Sequence, residues 1–371
     1  MTDSFNTRLW SEEEFANARD AWDGLVRRSN ADPLFMCWDW QWRWWKHFKA
    51  PLRASLAILG VYGADGDLVG LAPFYIRWTR TRGVIPTRRL EIVGVAWRQA
   101  GVAFSEYLDF IVANEHAPAV RRRIGDWITG RSRWHDMVIA CARSDSHAAQ
   151  VVSAVARPSW VVREVDQLVA QRVDLGVPFD AFLRRLSANT RRHLYLQRSR
   201  LGAGRFVSVP NQESDAYLDR LQEFRRARWG SAATSGESGR FDRDIATWLG
   251  RQQQLRLTAL LEDDRALSIM CNARVGATEY YLQSGFDSAL RGVSPGYLHM
   301  GYAIESACSE GVKWFDLLGG LGLKGDYKRK LVTEKTSLAC YHVVRASWLC
   351  ALYRLRATAG RLRAAAGSPG A

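Results

Sequence analysis

Hydrophobic spacing divides the chain into helices and strands in a repeating order. Ser11 and Glu14 form a capping-box pair ahead of Phe15, Ala18, Trp22, Leu25 and Val26, whose intervals predict an opening amphipathic helix. Leu34 to Phe48 follows the Asp32-Pro33 break and reads LFMCWDWQWRWWKHF. As a helix it stacks Trp38, Trp42 and Trp45 on one face and Trp40 and Trp44 on another, so it is apolar nearly all round and belongs in a core. A tryptophan box for a base or sugar is the alternative. Ser55 to Val61 and Leu68 to Ile76 read as a hairpin turned by GADGD. Strands are predicted at Arg89 to Val95, Glu106 to Val112 and Asp136 to Cys141, with helices at Ala119 to Thr129 and His147 to Ala156.

Phe179 to Leu201 is predicted as one basic helix, with no carboxylate between Asp180 and Glu213. The first plan then recurs. Helices are expected at Asp215 to Trp229 and Phe241 to Gln254, and a hairpin at Leu255 to Glu262 and Ala266 to Arg274. A strand at Thr278 to Ser284, a helix at Tyr297 to Ser309 closed by Gly311, and a strand at Val312 to Leu318 complete it. The Gly/Ser-rich stretch between Trp229 and Phe241 is either a mobile loop over a site or a surface insertion. From Arg345 onward, leucines and arginines interleave without a carboxylate. That is a basic amphipathic helix, packed on the second domain or lying against anionic lipid.

With 371 residues the chain exceeds the usual reach of one core, so two domains are expected. The expected boundaries are residues 1–175, a connecting helix at 176–204, a second domain at 205–345 and a tail at 346–371. Apolar residues at 47% exclude a disordered chain, and no apolar run has signal-peptide or membrane-spanning character, so a cytoplasmic protein is expected. Six scattered cysteines without a CxxC pair or a histidine cluster point to reduced thiols and no metal. The net charge of +14 favours anionic partners, unless it reflects an arginine-rich proteome. There is no G-x-S-x-G elbow, P-loop or strand-anchored GxGxxG, and neither His193 nor His299 has a Ser and Asp at triad spacing.

The candidate site lies in TEYYLQSGFDSALRGVSPGYLHMGYAIESACSEGVKWFDLLGGLGLKGDYKRKL. Ser294, Pro295 and Gly296 open the helix that continues through Tyr297 and Leu298, and a helix N-terminus offers unpaired N–H groups that suit a diphosphate. Glu279 and Asp316 stand on the flanking strands as candidate bases or as structural carboxylates. Tyr281, Tyr297 and Tyr327 are candidate acids or core residues, while Lys328, Arg191 and Arg192 are candidate anion binders or solvated charges.

A strand, an SPG loop, a helix, GxxxFDLLGG and the pair Tyr327-Lys328 resemble the second domain of CelD/BioF2-like proteins of the GNAT superfamily, and the related Fem-type aminoacyl transferases. The tryptophan-rich segment, LVGLAPFY, EYLDFIV and NTRRHLYLQRSRL occur in the family's order, so the likeness runs to about His342. Arg291 to Gly296 reads RGVSPG and departs from the phosphate signature Q/R-x-x-G-x-G/A. The resemblance implies an α/β fold of two tandem GNAT-like domains with mixed sheets flanked by helices, in a Fem-like arrangement. It implies acyl transfer from acetyl-CoA or another acyl-CoA to an amine or hydroxyl, without metal. Gln283 and Ser294 to Leu298 would hold the donor, the strand backbone from Tyr280 to Gln283 the oxyanion, and the acceptor would lie near the domain cleft. It further implies a glycan or small-molecule acceptor in exopolysaccharide, cellulose or cell-envelope synthesis. Two alternatives stand beside it: aminoacyl transfer from tRNA, and a non-catalytic assembly factor whose basic tail makes a peripheral membrane contact.

Overall fold

The computed structural model describes residues 5–81, 83–130, 133–201, 204–230, 236–290, 294–319 and 329–366. They form two compact units. One comprises Met1–Arg98, Phe104–Gln167 and Leu338–Ala371, and the other Gln99–Ala103 and Leu168–Ser337.

In the first unit the capping box forms as the sequence predicts: Ser11 Oγ accepts from the Glu14 amide, and Glu14 accepts from the Ser11 amide at 2.7 Å. It opens α1 (Glu12–Asn17), followed by α2 (Arg19–Arg27) and the tryptophan helix α3 (Trp38–Phe48). Trp40, Trp44 and Trp45 are buried, with Trp44 and Trp45 packed on Tyr75, so this helix is core. The strands are β1 (Asn6–Leu9), β2 (Ser55–Tyr62), β3 (Leu68–Thr81), β4 (Ile85–Ile92), the short β5 (Ile111–Val112) and β6 (Asp136–Arg143). The 106–112 segment is thus a strand only at its end.

Helix α4 (Ala117–Gly130) carries the chain from β4 to β6, which pair in parallel. After α5 (His147–Val155) comes β7 (Val161–Asp174), a strand the sequence reading left unassigned. The sheet of this unit runs β1-β2-β3-β4-β6-β13, and its last strand, β13 (Glu334–Val344), arrives from near the end of the chain.

The 179–201 segment is not one helix. It forms α6 (Phe179–Arg185), α7 (Ala188–Leu194) and a 3-10 turn, because Ser187 leaves helical geometry and its hydroxyl accepts from the Thr190 amide, capping a new helix.

The second unit continues through β8 (Gly204–Ser208), α8 (Ser214–Trp229), α9 (Glu237–Arg251), β9 (Leu255–Glu262), β10 (Arg265–Val275), β11 (Thr278–Phe286), α10 (Pro295–Ser309) and β12 (Trp314–Asp316). Its sheet runs β7-β12-β11-β10-β9-β8. Here α10 is the crossover between parallel strands β11 and β12, as α4 is in the first unit. One face carries a core of Phe182, Leu183, Leu194, Met300, Ile304 and Phe315, and another core joins α8 and α9 to Leu257, Ala259 and Ile269.

The last helix, α11 (Ser347–Ala366), buries Leu349 and Cys350 against Val344 and Val161. It therefore packs in the first unit, correcting the expectation that it docks on the second. No helix among the described residues is long and apolar enough to cross a membrane.

Candidate active site

Strand β11 carries an irregularity that organises its surroundings. Cys271 of β10 pairs with Gln283, but the adjacent Asn272 pairs with Tyr281, so Leu282 is an extra residue in β11. Such a bulge interrupts the ladder and changes the phase of the strand. Tyr281, Ser284 and Phe286 consequently face α10, while Gln283 and Gly285 face α8. On the opposite edge, the ladder with β12 stops at Tyr280 paired with Asp316. The two parallel strands thus part beside the bulge.

Helix α10 begins at the same end. Ser294 is its N-cap but makes no side-chain cap hydrogen bond, and Pro295 occupies the first turn. The amides of Tyr297 and Leu298 both turn back to the Ser294 carbonyl at 3.0 Å. Gly296 is required by packing: a Cβ there would sit 2.9 Å from Phe286 Cδ1. Leu298 is buried with Leu260 and Leu267.

Behind α10, α7 approaches so closely that a Cβ on Gly301 would lie 2.0 Å from the Leu194 carbonyl oxygen. This contact sets the ring of His193 edge-on to Tyr297 at 6.3 Å. His193 Nδ1 is buried without a hydrogen-bond partner. Arg191, half-buried, and Arg192, exposed, are carried on the same short helix. Burial raises the Tyr297 phenol above its ordinary range, keeping it protonated.

The α8 face holds an ionic cluster. Arg225 Nη1 donates to Asp242 Oδ2 at 3.0 Å and to Gln283 Oε1 at 2.5 Å. Burial raises the Asp242 carboxyl despite the opposing pull of Arg225, Gln283 and Gln222.

On the α10 face, His299 is fully buried, with Nε2 and Nδ1 each 2.9 Å from the hydroxyls of Thr258 and Ser268. Desolvation lowers its pKa to about 3, so it is neutral at physiological pH. It joins β9, β10 and α10 rather than serving a triad.

Residues 184–329 match the family described as the acetyltransferase (GNAT) domain. Three solved structures share the fold. FemX aligns at 13% identity and TM-score 0.58, covering 94% of this chain and 99% of its own. The C-terminal domain of a putative lysylphosphatidylglycerol synthetase from Agrobacterium fabrum aligns at 14% identity and TM-score 0.53, covering 93% and 96%. L-PGS from Bacillus licheniformis aligns at 13% identity and TM-score 0.50, covering 91% and 95%. No curated protein sequence matches the chain. Residues 184–329 form a GNAT acetyltransferase domain.

The chain's fold is the mixed α/β, Fem-like tandem arrangement, and the bulged strand, crossover helix and parting parallel strand all fall inside the GNAT domain. Within that domain, Ser294, Pro295, Gly296, Tyr297, Leu298, Tyr281 and Gln283 gather around β11 and the start of α10. Gln283 is committed to Arg225 on the α8 face.

Glu279 is buried, accepting from Asn272 at 2.8 Å and pairing with Arg274 at 2.8 Å. Asp316, completely buried, accepts from Arg172 Nε at 2.7 Å and from the Leu318 amide at 2.8 Å. The Tyr281 hydroxyl bonds the Ser284 hydroxyl. Tyr327 and Lys328 lie outside the described residues. Among the described residues, no group of three or more metal-ligating side chains occurs.

Sequence reasoning missed Arg225 and Asp242. Each sits in a helix rich in charge, and only the fold joins them to Gln283.

Proposed function

We propose that this GNAT protein transfers an acyl group from acyl-CoA to an amine or hydroxyl acceptor in the second unit. The reading rests chiefly on one observation: the bulge at Leu282 stands beside the start of α10, where β11 loses its β12 partner. The residues present suit such a donor. The N-terminus of α10 lacks a side-chain cap, and the Gly296 amide there would donate to the diphosphate, with the helix dipole assisting. The β11 backbone from Tyr280 to Gln283 would accompany the thioester and donate to its carbonyl oxygen. Bound acyl-CoA supplies the activated acyl carbon and a thiolate leaving group.

Asp242 is assigned the acceptor's proton, because its burial raises its affinity for one and Arg225 fixes its position. Tyr281 and Tyr297 are the candidate donors of a proton to the thiolate, with Tyr327 as a further candidate. Glu279 and Asp316 are assigned to holding β10, β11 and β12 in register, since both are taken up by arginine pairs. Arg191, Arg192 and Lys328 are assigned to anionic parts of donor or acceptor. The ordered motifs shared with CelD/BioF2-like proteins support an amino sugar or hydroxyl of an envelope or exopolysaccharide precursor as acceptor, and a cytoplasmic site for the reaction.

The test is titration calorimetry with acetyl-CoA and longer acyl-CoAs, followed by turnover on amino sugars. Saturable binding that Tyr297→Glu weakens, with turnover that Asp242→Asn lowers, is expected. Absence of binding by every acyl-CoA overturns the reading.

A second reading, aminoacyl transfer from charged tRNA, draws on the fold likeness to FemX and on the net charge of +14. Tight tRNA binding that falls steeply with salt, together with indifference to acyl-CoA, would select it.

A further inference from the structure

The first unit bears an aromatic and basic patch that no part of the acyl-transfer reading uses. Trp78 on β3 is 60% exposed and Trp348 on α11 is 46% exposed. They belong to one surface: His135 stands edge-on to Trp78 at 6.3 Å and to Trp348 at 5.7 Å.

The patch is fixed by backbone as well as by rings. The His135 carbonyl accepts from the amides of Arg345 and Ala346 at the start of α11, and its own amide donates to Arg88 at 2.8 Å. Arg88 pairs across the hairpin with Trp78 and lies over its ring at 5.9 Å. Arg80 is exposed two residues beyond Trp78, hence on the same sheet face. At the hairpin tip Val84 is 69% exposed. Leu355, 71% exposed, follows Trp348 by two helical turns and shares its face, with exposed Arg354 and Arg356 on either side.

Large exposed apolar side chains are costly unless they meet a partner. The chemistry of the partner follows from the charges. Segments 76–81, 83–90, 157–163 and 345–356, which build and border this surface, contain arginines and no Asp or Glu. Indole rings set among arginines suit the headgroup level of a bilayer, where the ring has both an apolar and a polar environment. Arginines without competing carboxylates suit anionic headgroups.

We propose that the first unit binds the surface of an anionic bilayer through Trp78, Trp348, Val84 and Leu355, with Arg80, Arg88, Arg354 and Arg356 on the headgroups. Binding is peripheral, since no described helix can span a membrane.

The full-length protein is sedimented with vesicles of phosphatidylcholine alone and of phosphatidylcholine containing about 30% phosphatidylglycerol. Binding is expected only with the anionic lipid, and it weakens as salt rises. Trp78→Ala/Trp348→Ala should lower partitioning by about tenfold or more while keeping the far-ultraviolet circular dichroism. Arg80→Glu should lower it by at least about fivefold. In the unaltered protein, phospholipids brominated along the acyl chain should quench tryptophan fluorescence, a readout that stands if the alanine pair fails to fold. Equal binding to both vesicles, no quenching, or unchanged partitioning of a folded alanine pair overturns the proposal. Binding of tRNA in preference to vesicles also overturns it, and would make the patch a nucleic-acid face.

Discussion

Gly301 and Leu194 meet backbone to backbone: α10 can lie against α7 only because residue 301 has no Cβ, which would fall 2.0 Å from the Leu194 carbonyl oxygen. Neither backbone can yield as a flexible side chain would. Gly301→Ala is therefore expected to cost about 3 kcal/mol, at the upper end for overpacking, as the helices separate. Urea denaturation measures the loss. If the proposed donor site is correct, the same variant raises KM for acyl-CoA, because Tyr297 and His193 lose their common support.

His299 gives the second unit a defined response to acid. Its folded pKa, lowered to about 3, lies below the ordinary 6.5, so the native state binds its proton less tightly than the unfolded chain. The stabilisation is complete above about pH 6.5 and falls by about 1.4 kcal/mol per unit as the pH drops toward 3. His299→Asn should keep one hydroxyl contact, lower stability at pH 7 and flatten that acid slope. Chemical denaturation at pH 7, 6, 5 and 4 checks it, and an unchanged slope would show that His299 is not the titrating group.

Asp242 should act through the pH profile as well as the rate. Its raised affinity for a proton places the acidic, ascending limb of kcat/KM above the ordinary carboxylate range. Asp242→Asn is expected to lower kcat by about a hundredfold or more with little change in donor affinity, and Asp242→Glu to recover part of the rate. Arg225→Met removes the opposing charge and should move the limb upward. A residue that merely packs would lower stability without shifting that limb.

Much of the scaffold was legible because its signals are local. Ser11 and Glu14 announced the first helix, GADGD announced the hairpin, and Pro295 and Gly311 bracket α10. What escaped the sequence depends on distant partners. Strand β7 mixes charged and half-buried positions and shows no clean alternation, while β13 completes a sheet whose other strands lie far earlier in the chain. Ser187 and Thr190 carried a capping signal that the continuous basic run concealed. The bulge at Leu282 has no compositional mark, and it decides that Gln283 meets Arg225 rather than α10.

The Arg172–Asp316 pair separates structure from chemistry at the end of β12. Asp316 is completely buried and both its oxygens are used, one by the guanidinium and one by the Leu318 amide, while Leu318 itself adopts φ 57°. Removing the charge takes the carboxylate away from the partly buried Arg172 and frees a strained turn. Asp316→Asn is therefore expected to lower stability by about 3 kcal/mol, with the variant that still folds retaining much of its kcat. Denaturant titration alongside single-turnover rates makes the comparison. If Asp316→Asn remains as stable as the parent and loses turnover by about a hundredfold, the carboxylate is the base and Asp242 is displaced from that role.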